Sequence, residues 1–222
     1  EGELACLNLV ERLAEVDFEV DKLKASGKPL PGCHYLYDGE IIRHDLPNRI
    51  RDLEDLPSPY LMGLMDKFFD EPLTPLMHTT RGCPFQCKFC TEGAKYYQKV
   101  SQRYDLLDEL TYIAKRVKNM SELYLSDANF GMFKKHLTIT NYLITKKQKT
   151  GFPQKHRVDW AKIHGERVIE LAKMFYNAGM DKGITIALQS LNPKTLKAVD
   201  RKNMDDGKLA EFLQKYNQAD LP

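Results

Sequence analysis

The chain has 222 residues, 42% hydrophobic and 29% charged, with a single Trp, the balance of an ordinary globular protein. Thirty-three basic against thirty-one acidic residues leave a net charge of +2, too near balance to favour a nucleic-acid partner. No apolar run approaches the roughly 18 residues that cross a bilayer, no signal peptide is visible, and five cysteines, three of them on one loop, do not form a disulfide framework; these features predict a cytoplasmic protein with no membrane partner.

Leu4, Leu7, Val10, Leu13 and Val16 recur at helical spacing, predicting an amphipathic helix over residues 4–24 that Gly27-Lys28-Pro29-Leu30-Pro31-Gly32 stops. Residues 33–37 and 40–43 around Asp38-Gly39 read as a β-hairpin, because Asp-Gly tolerates the positive φ angles of a tight turn. Cys6 and Cys33 read as inert packed thiols. Residues 44–75 hold five of the eleven prolines and should form an extended connector, with one short helix near Leu61–Phe69. These features define a linker region over 1–72 and a second domain over 73–222.

From residue 73, strand and helix patterns alternate as in parallel βα units. Strands are predicted over 73–80, 122–126, 157–163 and 183–191. Helices are predicted over 106–117, 137–147 and around 168–175, then as a short turn at 193–199 and a longer helix over 205–218. Lys134, Lys135, Lys146, Lys147 and Lys149 read as a solvated outer face of the second helix.

The stretch Thr79-Thr80-Arg81-Gly82-Cys83-Pro84-Phe85-Gln86-Cys87-Lys88-Phe89-Cys90-Thr91 places three cysteines in a C-x3-C-x2-C spacing straight after a predicted strand. Thiolates this close repel unless a cation or cluster neutralises them, and thiolates select iron–sulfur clusters, zinc or copper(I). A structural zinc site wants four protein ligands; a [4Fe–4S] cluster held by three cysteines leaves one iron open.

This spacing, with Phe89 before the last cysteine and the lead-in Arg81-Gly82-Cys83-Pro84-Phe85, resembles the signature of the radical S-adenosylmethionine (SAM) enzymes. The resemblance implies that Cys83, Cys87 and Cys90 bind a [4Fe–4S] cluster, that Phe89 lies against the cofactor, and that the open iron chelates SAM. It implies an α/β fold, a partial (β/α)6 barrel of about four βα units preceded by the helix, hairpin and proline-rich linker. That leading segment resembles the linker following the cobalamin-binding domain of B12-dependent members. With no Met at Glu1 and no strand after the last helix, the chain is expected to be a fragment of a cobalamin-dependent protein, its exposed sheet edge inviting self-association.

Reactive groups of parallel α/β folds gather at the carboxyl ends of strands. Strand two ends in Ser126-Asp127-Ala128-Asn129-Phe130-Gly131, with Asp127 and Asn129 on one face. The resemblance makes Asp127 a SAM or substrate contact in place of the absent G-G-E motif, against the alternative of an Asx turn or cap. Lys162 at the end of strand three reads as an anion holder or a solvated amine, and His164 as a capping or surface residue. Gln189-Ser190-Leu191-Asn192, then Leu196 and Arg201, resembles the Q-S…L…R pattern whose residues bind the SAM ribose and carboxylate. The implied activity is reductive cleavage of SAM to a 5′-deoxyadenosyl radical, then cobalamin-dependent C-methylation, with a flavodoxin or ferredoxin as electron donor and an unknown substrate. The alternatives are a methylthiotransferase acting on tRNA or a ribosomal protein, and a non-catalytic zinc module.

Overall fold

A computed structural model describes residues 2–163, 165–180, 183–204, 206–219 and 221, and the chain divides into two units between Ile50 and Arg51. In the first unit the predicted long helix is two, α1 (Gly2–Ala14) and α2 (Val20–Ala25). The break comes at Asp17 and Phe18, which take φ of 53° and 61°, and Phe18 N–H folds back onto Leu13 O at 2.8 Å. Strands β1 (His34–Tyr37) and β2 (Glu40–Arg43) pair antiparallel with Tyr37 opposite Glu40. Asp38 and Gly39 between them have φ of 49° and 80°, as a two-residue hairpin turn requires. Cys33 is half-buried, but Cys6 is exposed on α1 and is not a packed thiol.

The second unit is α/β. Its elements in order are β3 (Leu76–Met77), β4 (Thr80–Arg81), β5 (Ser101–Gln102), α3 (Leu107–Arg116), β6 (Glu122–Phe130), α4 (Lys135–Thr150), β7 (Lys155–Trp160), α5 (Gly165–Asn177), α6 (Pro193–Ala198) and α7 (Asp206–Gln218). β3, β6 and β7 form a parallel sheet in that order, and β4 pairs antiparallel with β5 beside it. The helices bury the predicted stripes against this sheet: Leu110 and Ile113 from α3, with Leu106 just before it; Ile139 and Leu143 from α4; Val168, Leu171, Ala172 and Phe175 from α5. Burying each such side chain is worth about 1.5–3 kcal/mol, so the βα order follows from where apolar stripes meet apolar strands.

Residues 51–72 are not a bare connector. The prolines remove backbone donors, and side chains supply fastenings instead: Tyr60 Oη bonds both Leu76 N and Leu76 O at 3.0 Å, and Glu54 Oε1 accepts from Tyr104 N and Asp105 N. Tyr60 and Phe69 are buried in the core of the second unit. The short helix expected near 61–69 is instead a run of turns with one 3₁₀ turn at Asp66–Phe68.

Three further expectations need correction. The first barrel strand is two short pieces, because the chain leaves the β3 ladder at His78 and re-pairs at Thr80 with β5. Residues 183–191 pair with no strand among the described residues. Their burial alternates as in a strand, but the carbonyls of Ala187, Leu188 and Ser190 are taken by the side chains of Arg201 and Asn203. Nor is the lysine set of α4 all solvated: Lys135 Nζ bonds Thr79 O and Arg103 O, Lys146 Nζ bonds Thr111 Oγ1, and Lys147 Nζ bonds Ala178 O and Gly179 O.

Candidate functional site

The cysteine loop leaves β4 and is wound tightly on itself. Cys83 N–H donates to Tyr97 O at 3.0 Å, Cys90 N–H to Cys87 O at 3.0 Å, and Gly93 N–H to Cys90 O at 2.9 Å. A Cβ on Gly93 would sit 2.2 Å from the Cys87 carbonyl oxygen, so the backbone comes close enough there for glycine alone. Cys83 and Cys87 are buried, while Cys90 and Phe89 are exposed. Lys88 N–H reaches Val199 O at 2.9 Å, tying the loop to the end of α6.

Asp127 is buried beneath this loop. One of its oxygens accepts Thr79 N–H at 2.6 Å and Thr80 N–H at 2.9 Å; the other accepts the Thr79 hydroxyl and lies 3.3 Å from His136 Nε2. The break between β3 and β4 strips those two amides of ladder partners, and the carboxylate replaces them. Burial alone would raise the Asp127 pKa; the nearby His136 and the bonds from Thr79 and Thr80 outweigh it and hold the group below the usual carboxylate range. Burial likewise pushes His136 down despite Asp127 nearby, so the ring is neutral, and its Nδ1 accepts Gly131 N–H at 2.7 Å. Asp127 has no exposure, and both of its oxygens are engaged at the start of the cysteine loop.

Strand β6 explains the placement. Its register with β7 runs from Leu125↔Val158 to Phe130↔Trp160, so β6 bulges between those points and Ser126–Asn129 leave the ladder. Bulges re-aim side chains. Here Asp127 turns toward Thr79 and Asn129 toward Cys83, with Asn129 Nδ2 3.2 Å from Cys83 Sγ.

Arg201 is also buried. Its Nε bonds Leu188 O at 3.3 Å and Asn203 Oδ1 at 2.9 Å, its NH2 bonds Ala187 O, and its NH1 lies 3.9 Å from Cys87 Sγ. The guanidinium also sits 5.8 Å from the centroid of the Phe89 ring. Arg201, Cys87 and Phe89 are thus brought together. Gln189 is exposed at φ 66°, with Ser190 N–H folding back to Leu188 O at 2.8 Å across it. Ser190 is half-buried, its hydroxyl accepting Asn192 N–H. Both stand on the segment that Arg201 and Asn203 hold. Lys162 Nζ lies over the Phe85 ring of the cysteine loop at 5.1 Å, and His164 falls outside the described residues.

Among the described residues no three His, Cys, Asp or Glu side chains form a ready-made site for a single metal ion. A cubane spreads its ligands over separate irons, so it asks instead for soft donors on one loop. All five cysteines are free thiols, and two of the loop's three sulfurs are buried with an N–H donor facing them. The donor set fits an iron–sulfur cluster.

With that geometry in view, the sequence matches the Radical SAM superfamily over residues 77–222. The chain belongs to the radical SAM superfamily. It is 30% identical over 200 residues to the cobalamin-dependent radical SAM methyltransferase TokK of Streptomyces tokunonensis, covering 84% of this chain and 28% of that protein. It is 31% identical over 225 residues to the 2-(S-pantetheinyl)-carbapenam-3-carboxylate methyltransferase of Streptantibioticus cattleyicolor, covering 97% of this chain and 32% of that one. The radical SAM chain therefore spans about a third or less of these relatives. Its fold resembles that of the cobalamin-dependent SAM radical enzyme OxsB, solved with aqua-cobalamin and SAM bound, at a TM-score of 0.60 and 17% identity over 97% of this chain and 31% of that one. No helix among the described residues is long and apolar enough to cross a membrane.

Asn129 and Asn203 bear on the site more directly than the sequence indicated. The alternation of β6 already set Asn129 on one face with Asp127; nothing local marks Asn203, whose Nδ2 bonds Leu188 O and Ser190 O.

Proposed function

We propose that this chain is the SAM-binding core of a cobalamin-dependent radical SAM methyltransferase that methylates carbon, with Cys83, Cys87 and Cys90 holding a [4Fe–4S] cluster. The observation that carries the reading is the cysteine loop itself, two of its sulfurs buried and faced by N–H donors from β6 and from Arg201. The two methyltransferases sharing about a third of its residues support the reaction class. When bound, the cluster supplies one electron to the SAM sulfonium and cobalamin supplies a methyl group.

The chain's own residues then have distinct tasks. Asp127 and Lys135 fix Thr79 from its amide and carbonyl sides, so the loop starts from a rigid point. The Arg201 guanidinium places positive charge beside Cys87 and braces residues 187–188 against the loop. The Gln189 carboxamide both donates and accepts, which suits a ribose diol, and the Ser190 hydroxyl lies next to it. Phe89, exposed beside Cys90, offers an apolar face to the cofactor. A flavodoxin or ferredoxin supplies the electron.

The test is anaerobic reconstitution with iron and sulfide. About four irons per chain are expected, with an EPR signal after reduction that changes when SAM is added and with accumulation of 5′-deoxyadenosine. Alanine at Cys83, Cys87 or Cys90 should abolish all three. Tight zinc without a cluster would refute the reading in favour of a zinc module.

A further inference from the structure

Asn129 is buried in the site, and the proposed function uses only the presence of its N–H beside Cys83. It is 5% exposed, its Nδ2 lies 3.2 Å from Cys83 Sγ, and its Oδ1 is buried with no hydrogen-bond partner among the described residues. The other buried residues on this face of β6 are accounted for: Leu123 and Leu125 fill the core, and Asp127 spends both oxygens on Thr79, Thr80 and His136. An apolar side chain would fill the space of Asn129 without leaving a carbonyl unmatched. The sulfur explains the amide. With the amide reversed, its oxygen would face sulfur lone pairs; as it stands, an N–H faces an acceptor that is strongest as a thiolate. The β6 bulge between Leu125 and Phe130 takes Asn129 out of the ladder, which lets it point there.

We propose that Asn129 is a positioning residue of the iron–sulfur site, acting through Cys83: its N–H bond to Sγ draws charge from the sulfur and raises the reduction potential of the cluster held there. Hydrogen bonds to cluster sulfurs are among the levers a protein has on that potential. Arg201 NH1 stands at 3.9 Å from Cys87 Sγ, so the Asn129 contact is the closer of the two side-chain donors. The inference rests on the reading of Cys83 as a cluster ligand.

Protein carrying 15N only in asparagine side-chain amides is reconstituted anaerobically, reduced, and examined by pulsed EPR, with a redox titration on the same samples. The expected results are a weak 15N coupling in the wild-type cluster, its loss in Asn129→Leu at unchanged iron content, and a more negative midpoint potential in that variant. Asn129→Asp, which removes the donor and adds charge, should shift the midpoint further in the same direction. A wild-type cluster that binds SAM but shows no 15N coupling overturns the inference whether or not the variants fold. So does an Asn129→Leu cluster with the wild-type midpoint. A wild-type protein that assembles no cluster overturns the proposed function and this inference together.

Discussion

Replacing Asp127 by alanine should unfasten the cysteine loop, and the structure sets the scale of the effect. Two backbone N–H groups and one hydroxyl end on the carboxylate, which has no exposure to solvent. Hydrogen bonds to a charged group are worth about 1.5–3 kcal/mol each. Three of them, less what a water entering the vacated space recovers, give a loss of about 3–5 kcal/mol, a large share of the roughly 5–15 kcal/mol that holds a domain together. Asp127→Asn separates charge from shape. The amides of Thr79 and Thr80 both end on one oxygen, which the carboxamide keeps. Its NH2 would then face His136 Nε2, which carries the ring proton because Nδ1 accepts from Gly131, so donor meets donor at a cost of about 1–2 kcal/mol. Because the folded carboxyl lies below its ordinary range, its contribution is fully present above about pH 4 and is lost only as pH falls through that lowered value. Urea denaturation followed by circular dichroism under anaerobic conditions, with iron content on the same samples, should rank wild type above Asp127→Asn and that above Asp127→Ala. An alanine variant within about 0.5 kcal/mol of wild type, or an asparagine variant as unstable as alanine, would refute the anchoring role.

Gly93→Ala drives a methyl group into the Cys87 backbone, which lies 2.2–3.1 Å from the added carbon, and should cost about 1–3 kcal/mol and lower the iron bound per chain; unchanged iron content and stability would show that the loop is not wound as described. Lys135 has its pKa lowered to about 8, chiefly by burial, with Asp127 and Glu54 opposing, so the folded chain releases this proton before the unfolded chain does. Relative to Lys135→Met, wild type should therefore gain stability as pH rises from about 8 toward 10.5, by less than the one-proton limit of about 1.4 kcal/mol per pH unit because solvent screens part of the effect; denaturation midpoints that track each other across that window would contradict it.

Much of this was legible in the sequence because it depends on short-range periodicity. The stripes through Leu110 and Ile113 and through Leu171 and Phe175 needed only a helical repeat, and Asp38-Gly39 needed only turn chemistry. What escaped depends on partners distant along the chain. Residues 183–191 alternate like a strand, yet whether they pair is decided by Arg201 and Asn203, more than ten residues on. The lysines of α4 look solvated in one dimension, but Lys147 ends on the carbonyls of Ala178 and Gly179 beyond α5. Asp127 was placed on the correct face of its strand, but its aim follows from a bulge in β6 and a break at His78 that no local pattern records.

Arg201 shows how these distant partners converge. The sequence-based expectation for it is a grip on a cofactor carboxylate. The structure buries it, and within the described residues its donors go to the carbonyls of Ala187 and Leu188, to Asn203 Oδ1 and toward Cys87 Sγ. Dipoles alone compensate a buried cation poorly, and the remaining NH1 faces the Cys87 sulfur at 3.9 Å. The same guanidinium ties residues 187–188 to the cysteine loop. Loss of the charge would therefore loosen the segment bearing Gln189 and Ser190 together with Cys87, which is why the loop and that segment behave as one mouth although a hundred residues separate them in the chain.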